Sequence, residues 1–208
     1  MDPNGENYEV VVDETNRIIT IRANFYVIEN EKCMLDAGLD IWNKQSGKYT
    51  YNVGEGEDAK SYTINFELNS IVCDSPDEVD AKAQNDKCGN SYAIVDEVKD
   101  EHGNIVRGIH IDGKIKVSGS YVDMFSNMIR TSAHESGHAM GIGDMRDDGL
   151  MDSGGVSFEI RANMIASALR YAGFKCSGPQ DIVLGTSGCK ANVTGKIPFG
   201  IGVVNSKK

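Results

Sequence analysis

Nowhere does this chain run 18 consecutive apolar residues, the length a membrane-crossing helix needs. The first thirty residues lack a basic start, an apolar centre and a small-residue cleavage site, so the expectation is a chain without a signal peptide of its own. Positive charge is scarce: 21 Lys and Arg stand against 31 Asp and Glu, a formal net charge of −10. Such a surface repels phosphate backbones and anionic lipid, which argues against nucleic acid and membranes as partners. No C-x-x-C pair occurs, which argues against a cysteine-based zinc ribbon. Internal repeats and low-complexity tracts are also missing. What remains is ordinary for a globular chain: 40% apolar and 25% charged residues over 208 positions, enough for one domain.

The five cysteines are Cys33, Cys73, Cys88, Cys176 and Cys189. Two readings stand side by side. In one, Cys73–Cys88 and Cys176–Cys189 close loops after export, each worth about 3 kcal/mol. In the other, all five are reduced thiols. Cys33 is the odd one, on a helix face expected to be buried.

Strand patterns are expected at residues 17–28, 62–72, 92–98, 105–111 and 115–121, with turn formers at His102-Gly103-Asn104 and Asp112-Gly113. Residues 31–44 carry Met34, Leu35, Leu39, Ile41 and Trp42 at helical spacing, with Gly47 as a stop and Trp42 as helix-to-sheet core. Residues 73–90 read as a long charged loop. A second helix is expected over 122–140, with Met124, Phe125, Met128, Ile129 and Ala133 on one face. A third is expected over 157–171, with Ser157 as N-cap and Gly173 as exit. Beyond Gly173 no pattern assigns an element. Strand, helix, strands, helix, loop, helix predicts a single α+β domain with a mixed sheet.

Residues 134–144 read His-Glu-Ser-Gly-His-Ala-Met-Gly-Ile-Gly-Asp. At about 3.6 residues per turn, His134 and His138 project from one helix face, so two imidazoles can reach one ion. Glu135, one step round, is placed to touch a metal-bound water. Gly141 lets the backbone leave the helix, and Asp144 then returns as a third, oxygen ligand. Two His and one carboxylate leave a vertex open, the pattern of a catalytic site. H-E-x-x-H alone arises by chance in about one such chain in two hundred; with the Gly and Asp the figure falls to about four in a hundred thousand. Asp147 and Asp148 compete with Asp144, whose spacing alone matches the motif. Among other polar residues, His102 and His110 read as surface side chains. The acidic stretch 74–86 has oxygen enough for a structural Ca2+ without EF-hand spacing, and reads as a solvated loop. Gly54-Glu55-Gly56 is too short to cradle a phosphate.

The motif resembles the His-Glu-x-x-His-x-x-Gly-x-x-His/Asp zinc signature of the metzincin metallopeptidases, with Asp last as in the snapalysin-type branch. The resemblance implies a metzincin-like fold: a mixed twisted sheet, a long active-site helix, a Met-turn and a C-terminal helix. It implies an upper subdomain at about 8–141 and a lower one at about 142–208. Met151, in Gly149-Leu150-Met151-Asp152, takes the Met-turn position. The implied activity is peptide-bond hydrolysis with one catalytic Zn2+ held by His134, His138 and Asp144, and Glu135 as general base. The implied partner is a protein or peptide substrate, and the chain is expected to be a monomer. Two departures matter. Asp144 stands where most of the family has a third His, and Ser153 stands where some members carry a tyrosine that binds the transition state. No residue in the sequence identifies a second donor for the oxyanion.

A fainter likeness concerns residues 1–6. Met1-Asp2-Pro3-Asn4-Gly5-Glu6 resembles the Asp-Pro-Asn/Asp-Gly junction that closes the core of Rhs-type bacterial proteins, after which a toxin domain follows. That likeness implies a peptidase secreted or delivered out of the producing cell, with a cognate immunity protein. Two other readings stay open: a catalytically silent binding module on the same fold, and a zinc hydrolase of non-peptide amides or esters.

Overall fold

The computed structural model describes residues 8–120, 125–146, 148–177 and 191–207. At its centre lies strand β2 (Ile18–Ile28), whose Ile19, Ile21, Ala23, Phe25 and Val27 alternate onto one buried face. β4 (Lys60–Cys73) runs parallel to it, from Ile18 opposite Thr63 to Ile28 opposite Cys73. On its other side β2 has two neighbours in succession. β1 (Tyr8–Asp13) pairs antiparallel with residues 18–22, and β5 (Gly89–Val95) pairs parallel with residues 24–26. β3 (Tyr49–Val53) adds antiparallel to β4. Beyond β5 come β9 (Lys114–Ser118), parallel, and β8 (Gly108–Ile111), antiparallel. The outcome is the mixed sheet of an α+β fold, with β8 ending one side of it among the described residues. Asp112 and Gly113 both take positive φ (48° and 74°) between β8 and β9, the geometry of a two-residue hairpin turn. β6 (Val98–Lys99) and β7 (Ile105–Val106) form a small separate ribbon.

Two helices tie the site to this sheet. α1 (Lys32–Asn43) buries Leu35, Gly38, Leu39 and Trp42, and α3 (Phe125–Ala139) crosses it closely. A Cβ on Gly38 would sit 2.8 Å from Ser132 Cβ. Trp42 donates its indole N–H to Ala133 O (2.8 Å) and packs on Phe66 with ring centres 5.8 Å apart, so one side chain joins both helices to the sheet. The last helix, α4 (Ala162–Tyr171), buries Met164, Ile165, Ala168 and Leu169. Gly173 ends it at φ 91°, and Phe174 N–H closes onto Leu169 O. No helix among the described residues is long and apolar enough to cross a membrane.

Several expectations are corrected. Residues 73–90 are not a loop: they hold helix α2 (Pro76–Asn85), started by Ser75, whose side chain accepts from Glu78 N–H, with Pro76 in the first turn. Three carboxylates of the stretch are taken by protein partners, Glu78 by Lys82, Asp80 by Lys114, and Asp86, just past the helix, by Asn24 and Tyr26. They do not converge as a calcium site would require; the described residues hold one converging group, and it lies elsewhere.

Residues 157–161 are not helical: Glu159 O and Ser157 O are held by Leu150 N–H and Arg130, α4 starts after Arg161, and Ser157 is not its N-cap. Cys33 is exposed, since the stripe of Leu35, Leu39 and Trp42 lies on the opposite side of α1. Phe125 is exposed, in the first turn of α3, while Met128 and Ala133 are buried; Met124 lies outside the described residues. Cys33, Cys73, Cys88 and Cys176 form no disulfide among the described residues. Cys73 aligns with Ile28 on one side of β2, whereas Cys88 precedes Gly89, which aligns with Asn24 on the other. That separation exceeds the roughly 7 Å between Cα atoms that a disulfide can span. Cys189, the expected partner of Cys176, lies outside the described residues.

The tail assigned to a lower subdomain supplies strands to the main sheet. β10 (Ala191–Thr194) pairs parallel with β1, and β11 (Gly202–Ser206) pairs antiparallel with β3.

Candidate metal centre

The motif residues lie on the most enclosed part of the molecule. From Arg130 to Met140, every residue of α3 and its exit is buried. His134 Nδ1 lies 2.9 Å from Leu150 O, and His138 Nδ1 lies 2.7 Å from Ile142 O. A carbonyl only accepts, so each Nδ1 carries the hydrogen, and each neutral ring presents its Nε2 lone pair outward. Those carbonyls fix both ring orientations, the usual arrangement behind metal-bound imidazoles. The rings stand edge to face, with centres 4.6 Å apart.

Gly141 takes φ 75° at the helix exit and lies on Tyr171; an added Cβ would meet that ring at 2.7 Å. Both demands exclude a side chain there. The chain then turns back, and Asp144 Oδ1 comes to 3.2 Å from His134 Nε2 and 3.7 Å from His138 Nε2. The Met145 N–H to Met151 O bond pins the returning loop and places Met151 beneath the centre, fully buried, with its sulfur against Gly137. Asp148 takes no part in the group, and Asp147 lies outside the described residues.

Donor atoms of His134, His138 and Asp144 all lie within 4.8 Å of one another. Asp144 Oδ1 is buried yet accepts no hydrogen bond, although an imidazole nitrogen is 3.2 Å away. Two ring lone pairs and a carboxylate oxygen facing one point repel unless a cation or a proton lies between them. The residues therefore fit a divalent metal ion, and a nitrogen and oxygen donor set of this kind suits zinc among others. Burial disfavours charge on His134, but Asp144, Glu135 and the Leu150 carbonyl outweigh it and raise its pKa. Burial and the neighbouring His134 push His138 down to about 4.

Glu135 is buried beside this group, and its Oε2 has no partner. Loss of water raises its carboxyl to about 7, against the pull of His134. Gly108 of β8 makes room for it: a Cβ there would meet Glu135 Oε1 at 2.7 Å and Thr131 Cγ2 at 2.6 Å. All four motif side chains line a cleft of about 900 Å³, bounded by α3 on one side and by β8 with its preceding loop on the other. Ser153 also lines it.

Three contributions were not visible in the sequence. Gly108 is one. Arg130 is another, buried and donating to the carbonyls of Leu150 and Asp152 through Nη2 and to Ser157 through Nε. It thereby holds the loop whose Leu150 carbonyl orients His134.

The third is His110, a correction to its reading as a surface residue: it is 2% exposed, lines the cleft, and neither ring nitrogen has a partner. Burial, with His138 nearby, lowers it to about 3. Alternation along Gly108-Ile109-His110-Ile111 was legible, but which face α3 covers was not. His102, by contrast, is exposed beside Glu101, as expected.

No protein-family model matches the chain, and no curated protein sequence matches it.

Proposed function

We propose that this chain is a zinc-dependent metalloendopeptidase of metzincin type. The observation that carries the proposal is the convergence of His134 Nε2, His138 Nε2 and the unpartnered Asp144 Oδ1 beside an unpartnered Glu135, at the floor of an open cleft. Zinc, when bound, would supply Lewis acidity toward a substrate carbonyl and toward water. Glu135 does the proton work. A carboxyl held near 7 by burial accepts a proton from the attacking water at Oε2 and returns it to the departing amine. β8, at the end of the sheet, offers its outer backbone groups to an extended peptide.

The metzincin assignment is supported by the order of elements and by Met151 packed beneath the centre. Intact Glu135 favours an active enzyme over a silent module. Secretion or delivery as a bacterial toxin, with an immunity protein as partner, is part of the same reading; it rests on residues 1–6, which lie outside the described residues.

The test is cleavage of a fluorescent casein by the purified chain, with and without 1,10-phenanthroline, beside Glu135→Gln. The expected outcome is chelator-sensitive cleavage that falls at least about 10²-fold in Glu135→Gln. Cleavage indifferent to both the chelator and the substitution would overturn the proposal.

A further inference from the structure

Apart from the three donors and Glu135, the cleft has three buried polar side chains on its walls: Arg130, Thr131 and His110. Arg130 spends its nitrogens on the carbonyls of Leu150, Asp152 and Ser157. Thr131 donates its hydroxyl to Asn127 O within its own helix. His110 is different. Both its ring nitrogens are buried, and neither has a hydrogen-bond partner among the described residues.

Strand geometry says which way the ring points. His110 lies two residues from Gly108, so both face the same side of β8. Gly108 meets Glu135 and Thr131 of α3. His110 also pairs across the hairpin with Ile115, which is itself fully buried on that side. The imidazole is therefore directed toward the motif helix, along the wall of the cleft opposite the metal donors.

An imidazole buried without partners costs free energy in every folded molecule, so such a group calls for a ligand. A core packing role would be served as well by Phe or Leu, without that cost.

We propose that His110 is a substrate-binding residue of the cleft, whose ring N–H donates to the oxygen that develops negative charge at the carbonyl under attack. The inference rests on the hydrolase reading above and supplies the second oxyanion donor that the sequence does not identify. It is a hydrogen bond aimed at transition-state charge, so its loss lowers kcat more than it raises KM.

The experiment uses the full chain, reconstituted with zinc, and N-phosphoryl-leucinamide as a tetrahedral oxyanion probe. Zinc stoichiometry is measured first, in wild type, His110→Phe, His110→Leu and His110→Gln, followed by probe affinity by calorimetry. The expected result is full zinc in all four, with affinity weakened about 10-fold or more in the Phe and Leu variants and restored to within a few-fold in Gln. As a readout that needs no variant, the wild-type His110 ring N–H signal in a ¹⁵N spectrum should shift on adding the probe.

Zinc-loaded Phe and Leu variants that bind the probe as wild type does would overturn the inference, as would an unmoved His110 signal. Loss of zinc in those variants would also overturn it, by making His110 a support of the metal centre. A wild type that takes up no zinc would instead sink the hydrolase reading.

Discussion

Gly137 sits one residue before His138, and its α-hydrogen side faces the buried Met151. A Cβ there would lie 2.4 Å from Met151 Sδ and 3.0 Å from Trp42 Cζ2. Helix propensity favours Ala over Gly by about 1 kcal/mol, but filling a closed core costs about 1–3 kcal/mol. Met151 and Trp42 are both fully buried, so an added methyl must displace core side chains and the clash outweighs the propensity gain. Gly137→Ala should therefore destabilise by up to about 2 kcal/mol, read by urea denaturation of the metal-free chain. A stabilised variant would contradict the packing described.

At this scale the sequence was most informative where chemistry needs fixed spacing. His134, Glu135 and His138 follow from the helical repeat, Asp144 from its distance past it, and Met151 was implied by the family resemblance of the motif. His110, Gly108 and Arg130 did not, because their roles depend on which strand face and which loop lie against α3.

Helix α2 shows why a polar segment can be misread. Its 10 residues bury only Val79 and Ala83, too few to make an amphipathic stripe stand out. What starts it is local chemistry: Ser75 Oγ accepts from Glu78 N–H at 3.3 Å, and Glu78 Oε2 accepts from Asp74 N–H at 2.7 Å. Those residues were present in the sequence and were outweighed by its charge. Ser75→Ala should cost about 1 kcal/mol of stability by thermal or urea unfolding, whereas Asp77→Ala, lacking any cap role, should change little. Equal effects would remove the cap from the account.

The strands missed by pattern, β1, β3, β10 and β11, share one cause. Each is short, and each has a partner distant in sequence, Tyr8 opposite Ala191 and Gly202 opposite Val53, although β1 and β3 also pair with the neighbouring β2 and β4. By contrast, β2, β4, α1 and α3 carry enough buried surface of their own to be legible. The non-helical segment before α4 was read as helix because its contacts, to Arg130 and Leu150, lie in other elements.

Across the whole molecule, one face of the sheet carries α1 and α3, and α3 holds its motif side chains against the far strand, β8. Trp42 locks α1 to α3, Arg130 locks α3 to the loop of residues 150–157, and Tyr49 donates to Ile160 O to hold the segment entering α4. The rigid parts therefore surround the centre, and the cleft opens on the side where the sheet ends.

Everything functional in this arrangement depends on whether three side chains grip one ion. The direct measurement is zinc content by mass spectrometry after dialysis against trace zinc, for wild type, Glu135→Gln and Asp144→Ala. The account predicts one zinc per chain in wild type and in Glu135→Gln, and at least about 10-fold weaker retention in Asp144→Ala. A wild-type chain that holds no zinc, or an Asp144→Ala chain that holds it as tightly as wild type, would contradict it.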